Sequence, residues 1–209
     1  MTRIGTLFII SAPSGAGKTS LVQQITNKLS NIVRSISYTT RAKRSKEQDG
    51  LDYFFINEKN FLQMKNNKEF LENAEIFGNH YGTSKKFVVD LLNQGKDVIL
   101  EIDYQGAKQI KSQLDVSFSA CLSIFILPPS LQTLTKRLTS RGQDEPTVIQ
   151  QRLNTAKTEM QHYINYDYLV INDNFDRAIQ DLSTIINAQQ LSIVKQKVVN
   201  ASLINDLLI

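Results

Sequence analysis

Eight consecutive residues near the start of the chain, Ala12-Pro13-Ser14-Gly15-Ala16-Gly17-Lys18-Thr19, constrain the fold more than any other feature. They satisfy the spacing G-x-x-x-x-G-K-S/T except at the leading position, where Ala12 replaces glycine. Before them runs an apolar stretch, Thr6 to Ser11, and after them Leu21, Val22, Ile25 and Leu29 recur at helical spacing. Strand, tight loop and helix in that order are the context in which the pattern cradles phosphates. Glycines let backbone N–H groups turn inward, the helix start adds its dipole, Lys18 neutralises β and γ oxygens, and the Thr19 hydroxyl can ligate Mg²⁺. The bland alternative, a chance Gly/Ser-rich turn with a surface lysine, does not explain that context.

The rest of the chain supplies a frame for such a loop. Continuous apolar runs at Val98 to Ile102, Ala120 to Leu127 and Tyr168 to Asn172 alternate with helical patterns at Phe87 to Leu92, Leu131 to Leu138 and Val148 to Met160. This predicts an α/β fold with a parallel core sheet buried on both faces and flanked by helices. From Ser35 to about Tyr81 the texture changes to short β-prone pieces, Ile36 to Thr39, Tyr53 to Ile56 and Glu75 to Phe77, around one helix near Glu58 to Lys68. That reads as a small mixed lobe inserted into the larger body. At 209 residues the chain fits one domain of ordinary size with smaller lobes.

The run ending at Asp103 carries two carboxylates, Glu101 and Asp103, with one residue between them, and they are expected to do different jobs, one toward a metal shell and one toward a ligand. Ordinary strand-end polar residues are the alternative. A net charge of +4 permits nucleic-acid binding without requiring it. Basic residues cluster at Arg34, Arg41, Lys43, Arg44 and Lys46, and again at Lys136, Arg137, Arg141 and Arg152. Cys121 lies in an apolar run and is expected to be a small buried side chain. His80 and His162 have no partner constellation and are expected to be structural. No stretch approaches the roughly 18 apolar residues of a membrane span, and Leu7 to Ile10 is too short for a secretory leader, so a soluble, cytoplasmic chain is expected.

A set of ordered segments carries a resemblance. They are Ser-Ala-Pro-Ser-Gly-Ala-Gly-Lys, Ser-Tyr-Thr-Thr-Arg-Ala-Lys-Arg, Gly-Leu-Asp-Tyr-Phe-Phe, Phe-Leu-Glu-Asn-Ala-Glu, Gly-Asn-His-Tyr-Gly-Thr, Ile-Asp-Tyr-Gln-Gly, Ile-Leu-Pro-Pro-Ser and Arg-Gly-Gln-Asp with a later Gln-Arg-Leu. From about Gly5 to about Ala188 the chain resembles the guanylate kinases, bacterial type. The resemblance implies a P-loop nucleoside monophosphate kinase fold with a core at residues 1–33, 91–129 and 153–209, a mixed α+β GMP-binding lobe at 34–90 and a mobile lid at 130–152.

By the same resemblance Arg41, Arg44, Tyr53 and Tyr81 hold the GMP phosphate, and Ser37, Glu72, Thr83 and Asp103 surround the guanine. Arg137, Arg141 and Arg152 act with Lys18 on the migrating phosphoryl group, and residues 12 to 19 with Asn172 bind ATP. Thr19 and Glu101 serve the Mg²⁺ that accompanies ATP, Glu101 standing where many relatives carry aspartate. The chemistry is independently coherent: guanine offers N1–H and its 2-amino group as adjacent donors to a carboxylate such as Glu72, whereas adenine offers an acceptor at N1. A structural hydrogen bond is the close second reading of Asn172.

The implied partners are ATP and GMP or dGMP, with no nucleic acid and no membrane. Another nucleoside monophosphate kinase, or a non-catalytic guanylate kinase-like interaction module, are the alternatives, the latter disfavoured because Gly15, Gly17, Lys18 and Thr19 all persist. Beyond the resemblance, Val198, Val199, Leu203, Ile204, Leu207 and Leu208 give the C-terminal segment an apolar face. A helix packed on its own core is the simpler reading of that face and a homo-oligomer contact the second.

Overall fold

The computed structural model describes residues 5–45, 47–76, 78–113, 121–140 and 145–208. Five parallel strands, β1 (Leu7–Ser11), β2 (Ile32–Arg34), β7 (Asp97–Glu101), β8 (Cys121–Leu127) and β9 (Tyr168–Ile171), form the core sheet in the order β2-β7-β1-β8-β9. β1 is central and wholly buried, as an unbroken apolar run flanked by two strands must be. Its two faces feed separate apolar clusters. Phe8 and Ile10 pack with helices α1 (Lys18–Lys28) and α7 (Phe175–Gln190), while Leu7 and Ile9 pack with α3 (Lys85–Asn93) and α4 (Tyr104–Lys111). Because the strands are parallel, all their C-terminal ends lie at one edge, where ligands bind in open α/β sheets.

The inserted lobe is a second sheet of order β4-β3-β6-β5, made of β3 (Tyr38–Thr39), β4 (Phe54–Phe55), β5 (Phe70–Ile76) and β6 (Asn79–Ser84), with helix α2 (Glu58–Asn66) against it. α2 starts where expected because Asn57 accepts from the Asn60 N–H as its N-cap. The lobe strands differ more from the reading of the sequence. β5 begins at Phe70 rather than Glu75, and β6 has no apolar run at all, because Asn-His-Tyr-Gly-Thr-Ser is held by pairing with β5 and β3 and not by burying a stripe.

After β8, α5 (Leu131–Thr139) and α6 (Pro146–Met160) pack on each other through Leu134, Leu138 and Ala156, and a 3₁₀ turn (Gln161–Asn165) leads to β9. Cys121 is half-buried and free, a partial correction to full enclosure; burial nonetheless pushes its thiol up to about 12, which keeps it protonated and inert. The histidines serve as ring platforms, His80 stacked on Phe61 and His162 on Tyr104. No helix among the described residues is long and apolar enough to cross a membrane.

The C-terminal segment corrects one expectation. It forms two short helices, α8 (Ile193–Val199) and α9 (Ala201–Leu208), and α9 buries none of its residues: Leu203, Leu207 and Leu208 are 57%, 75% and 80% exposed. The anchor is polar. Lys195, on α8, is buried and reaches Asp97 Oδ1 at 3.0 Å, while Gln190 donates to Asp97 Oδ2 at 2.7 Å and the Thr6 N–H to Oδ1 at 2.7 Å. A buried charge pair of this kind requires such saturation of its oxygens, since desolvation otherwise exceeds the attraction.

Candidate active site

The loop between β1 and α1 takes its shape from two glycines in the left-handed region, Gly15 at φ 88° and Gly17 at φ 93°. The positive φ strains any side chain at both, and room is short as well. A Cβ on Gly15 would lie 3.0 Å from Leu134 and Leu138 of α5, and one on Gly17 would lie 2.5 Å from the Asn172 amide nitrogen. The carbonyl of Ala16 is gripped from beneath, since Asn172 Nδ2 donates to it at 2.7 Å and Arg137 Nη1 at 3.4 Å, while Arg137 Nη2 donates to the Asn172 carbonyl at 3.0 Å. Asn172 is therefore buried under the loop, and residues 131–139 of the expected lid back the loop directly. Helix α5 ends at Thr139, and Arg141 lies outside the described residues.

Lys18 Nζ donates to the Ile102 carbonyl at 3.2 Å, which holds the ammonium over the end of β7. The Thr19 hydroxyl donates to the Glu101 carboxylate, and Arg34 Nη1 stands 3.8 Å from that carboxylate's other oxygen. Asp103 turns the other way: its Oδ1 accepts from the Gly106 N–H at 2.8 Å and caps α4. The two carboxylates have distinct partners because β7 ends at Glu101 and Asp103 lies beyond the strand as a helix cap; within a strand, residues two apart would share a face.

Ser14, Lys18, Thr19 and Asp103 line two cavities at once. The smaller, about 270 Å³, adds Ala12, Pro13, Gly15, Gly17, Ser20 and Glu159. The larger, about 530 Å³, reaches across to the inserted lobe and is lined by Arg34, Ser37, Arg44, Glu47, Tyr53, Glu72, Tyr81, Glu101 and Arg152, among others. Two adjoining pockets with a lysine at their junction suit a reaction that passes an anionic group from one ligand to another.

Within the lobe, Glu72 on β5 is only 5% exposed. Its Oε1 accepts from Thr83 Oγ1 at 2.6 Å, and Ser37 Oγ lies 3.4 Å from the same hydroxyl. Burial, opposed by the Thr83 hydrogen bond and reinforced by Asp103, pushes the Glu72 carboxyl up to about 7. A buried carboxylate beside two hydroxyls can receive two adjacent N–H donors of one ring edge, and it leaves a mispaired ring with unsatisfied groups. Its seat depends on Gly106, where a Cβ would come 2.7 Å from Glu72 Oε2. Gly106 was named in the sequence only as part of a segment, since nothing local reveals that a strand 34 residues earlier packs against it.

Arg41 and Arg44, which the resemblance sets on one phosphate, converge here on an internal carboxylate that the sequence reading missed. Glu47 Oε1 accepts from Arg41 Nη2 at 2.7 Å and lies 3.9 Å from Arg44 Nη1, while Oε2 accepts from the Arg44 N–H at 2.8 Å. The Arg41 guanidinium beside it holds the Glu47 carboxyl below the usual range, and the same hydrogen bond raises Arg41. Arg41 also lies 5.6 Å over the Tyr53 ring, and Tyr53 meets Tyr81 edge-on at 5.9 Å. Two cations and two phenols gathered at one wall form a site for a dianion.

A parallel sheet, a phosphate loop and an acceptor cavity facing it define a nucleoside monophosphate kinase architecture. The family model for guanylate kinase matches residues 4–189. The guanylate kinase of Saccharophagus degradans is 49% identical over 208 residues, covering 100% of both chains, and that of Coxiella burnetii is 55% identical over 185 residues, 88% of each. Among solved structures, the guanylate kinase from Anaplasma phagocytophilum superposes with a TM-score of 0.75 at 31% identity, covering 93% of this chain and 90% of that one. The chain belongs to the guanylate kinase family.

Proposed function

We propose that the chain transfers the γ-phosphoryl group of ATP to GMP or dGMP, giving ADP and GDP or dGDP, by direct in-line attack with no covalent enzyme intermediate. The single observation that carries this is Glu72, a buried carboxylate with Ser37 and Thr83 beside it, facing the same cavity as Lys18. In this reading Glu72 accepts from guanine N1–H and the 2-amino group. Arg41, Arg44, Tyr53 and Tyr81 take the GMP phosphate, displacing Glu47 from the guanidiniums. Residues 12 to 19 enclose the triphosphate, Lys18 bridges its β and γ oxygens, and Arg137, Arg141 and Arg152 offset charge in the transition state. Asn172 acts on the ATP side through the loop carbonyl it supports.

Thr19 and Glu101 fit Mg²⁺. They are hard oxygen donors already in contact, and among the described residues no group of three or more His, Cys, Asp or Glu could form a closed metal cage. A magnesium ion there supplies charge neutralisation at the β and γ phosphates. The reading takes both partners to be small anions, leaves nucleic acid and membranes no part and sets the reaction in the cytoplasm.

The test is a coupled ADP-release assay with GMP, AMP, UMP and CMP, each with and without Mg²⁺. Turnover with GMP that depends on the metal, and little with the other three, is the expected pattern. Equal turnover with AMP points to another monophosphate kinase, and no turnover with any acceptor to a non-catalytic module.

A further inference from the structure

Glu159 stands on α6 one residue before its end, and its carboxylate reaches the phosphate-loop cavity. The backbone N–H of Ser14, a group of the very loop whose amides would enclose phosphate oxygens, favours the carboxylate's charged form. Glu159 Oε2 is buried and finds no hydrogen-bond partner among the described residues. Charged and titratable groups face it from three elements: Lys18 at the start of α1, Asp103 at the end of the β7 run, and Tyr166 after the 3₁₀ turn. On its own helix the nearest charge toward the site is Arg152, two turns earlier and lining the larger cavity. Burial, followed by Asp103 and opposed by the Ser14 N–H and Lys18, raises its carboxyl above the ordinary range.

This arrangement costs stability unless something recovers it. A half-satisfied buried carboxylate is a poor structural device, because its free oxygen has lost water and gained no partner. Lining the loop cavity beside the Ser14 amide, with Lys18 on the same wall, it nonetheless carries the charge and the acceptor oxygens of a phosphate group. We propose that the Glu159 carboxylate is a placeholder anion, standing beside the Ser14 amide in the phosphate-loop cavity until the nucleotide's phosphates displace it. Glu47 stands correspondingly between Arg41 and Arg44 at the other pocket, so each anion site holds a carboxylate of the same polypeptide.

The inference rests on the reading of the loop as the triphosphate site. It predicts competition. Glu159→Gln removes the charge and keeps an acceptor, so ADP should bind about five- to tenfold more tightly than to the wild-type enzyme, the equivalent of removing one partly screened like charge near the phosphates. The KM for ATP should fall by a similar factor while the KM for GMP stays where it was. Titration calorimetry with ADP, run beside steady-state kinetics, reads both. A purely structural role for Glu159 predicts the reverse, weaker ADP binding in a less rigid loop, and unchanged or weaker binding overturns the placeholder. If Glu159→Gln does not fold, Glu159→Asp keeps the charge and withdraws it by one methylene; a smaller gain in ADP affinity is then expected, and none overturns the proposal. Wild-type enzyme that binds no ADP at all instead contradicts the assignment of the loop, which separates the two failures.

Discussion

The phosphate loop and the inserted lobe bind anions by different means, and the contrast explains which parts of this molecule tolerate change. The loop works through backbone: Gly15 and Gly17 sit at positive φ with little room for a Cβ, and only Lys18 and Thr19 add side-chain chemistry. The lobe works through side chains delivered by β3, β5, β6 and the irregular segment after β3, each replaceable by itself. A backbone site is all or nothing, whereas a side-chain site can be weakened by degrees.

The largest effect should come from the loop. Lys18→Ala removes the one cation at the junction of the two cavities, and turnover should drop by about a thousandfold or more while GMP still binds measurably by calorimetry. Retained activity in a folded Lys18→Ala protein breaks the comparison at its stronger end. Next comes pH. Because the Glu72 carboxyl sits at about 7 in the free protein, GMP must meet the ionised form, and the KM for GMP should rise roughly tenfold for each pH unit below about 7 and level off above it. The sign for folding is opposite: the raised value favours the protonated, buried acid, so this group's contribution to stability is full below its ordinary 4.5 and is lost as pH rises through about 7. The KM for ATP, set by the loop, should not follow that profile, and if it does the two sites are not separable in the way described.

Smallest is Gly106→Ala. Alanine favours the helix by about 1 kcal/mol, but its Cβ would press on Glu72 Oε2. Thermal stability should change little, since the atom that must yield is the end of a side chain. The KM for GMP should nonetheless rise about threefold to tenfold, as one displaced hydrogen bond to a charged group would produce. An unchanged KM would show that Glu72 tolerates the shift and would weaken the case for a tightly seated reader.

The same contrast decides what could be read from the sequence. The loop is contiguous, and its neighbours announce themselves as an apolar run and a helical stripe, so β1, α1 and residues 12 to 19 were legible with their boundaries nearly right. Core strands β7, β8 and β9 followed from continuous apolar runs, but β9, at the edge of the sheet, leaves Tyr168, Leu169 and Ile171 exposed and so departs from the expected burial on both faces. The lobe was legible only in outline. β5 and β6 carry Glu72, Asn73, His80 and Thr83, of which Glu72 lines the cavity with Thr83 bonded to it and His80 stacks on Phe61, so the apolar alternation that normally reveals a strand is broken. Arg41, Arg44, Tyr53 and Tyr81 came from resemblance; Arg44, Tyr53 and Tyr81 line the larger cavity, and Arg41 lies over the Tyr53 ring. Glu47, Glu159 and Gly106 escaped because their meaning lies in contacts between distant segments. Lys195 escaped for a related reason: a lysine in an apolar stripe reads as an exposed interruption, yet it is the buried anchor of the last two helices, while the leucines around it face solvent.

The central claim is that a buried carboxylate in the lobe recognises the base while the loop holds the triphosphate. It is tested most directly by the ratio of kcat/KM for GMP to that for AMP in wild-type and Glu72→Gln enzymes, with the KM for ATP recorded in the same runs. The account predicts that Glu72→Gln lowers the ratio by about a hundredfold, chiefly through loss of GMP activity, and leaves the KM for ATP within about twofold. A ratio that survives the substitution would contradict it.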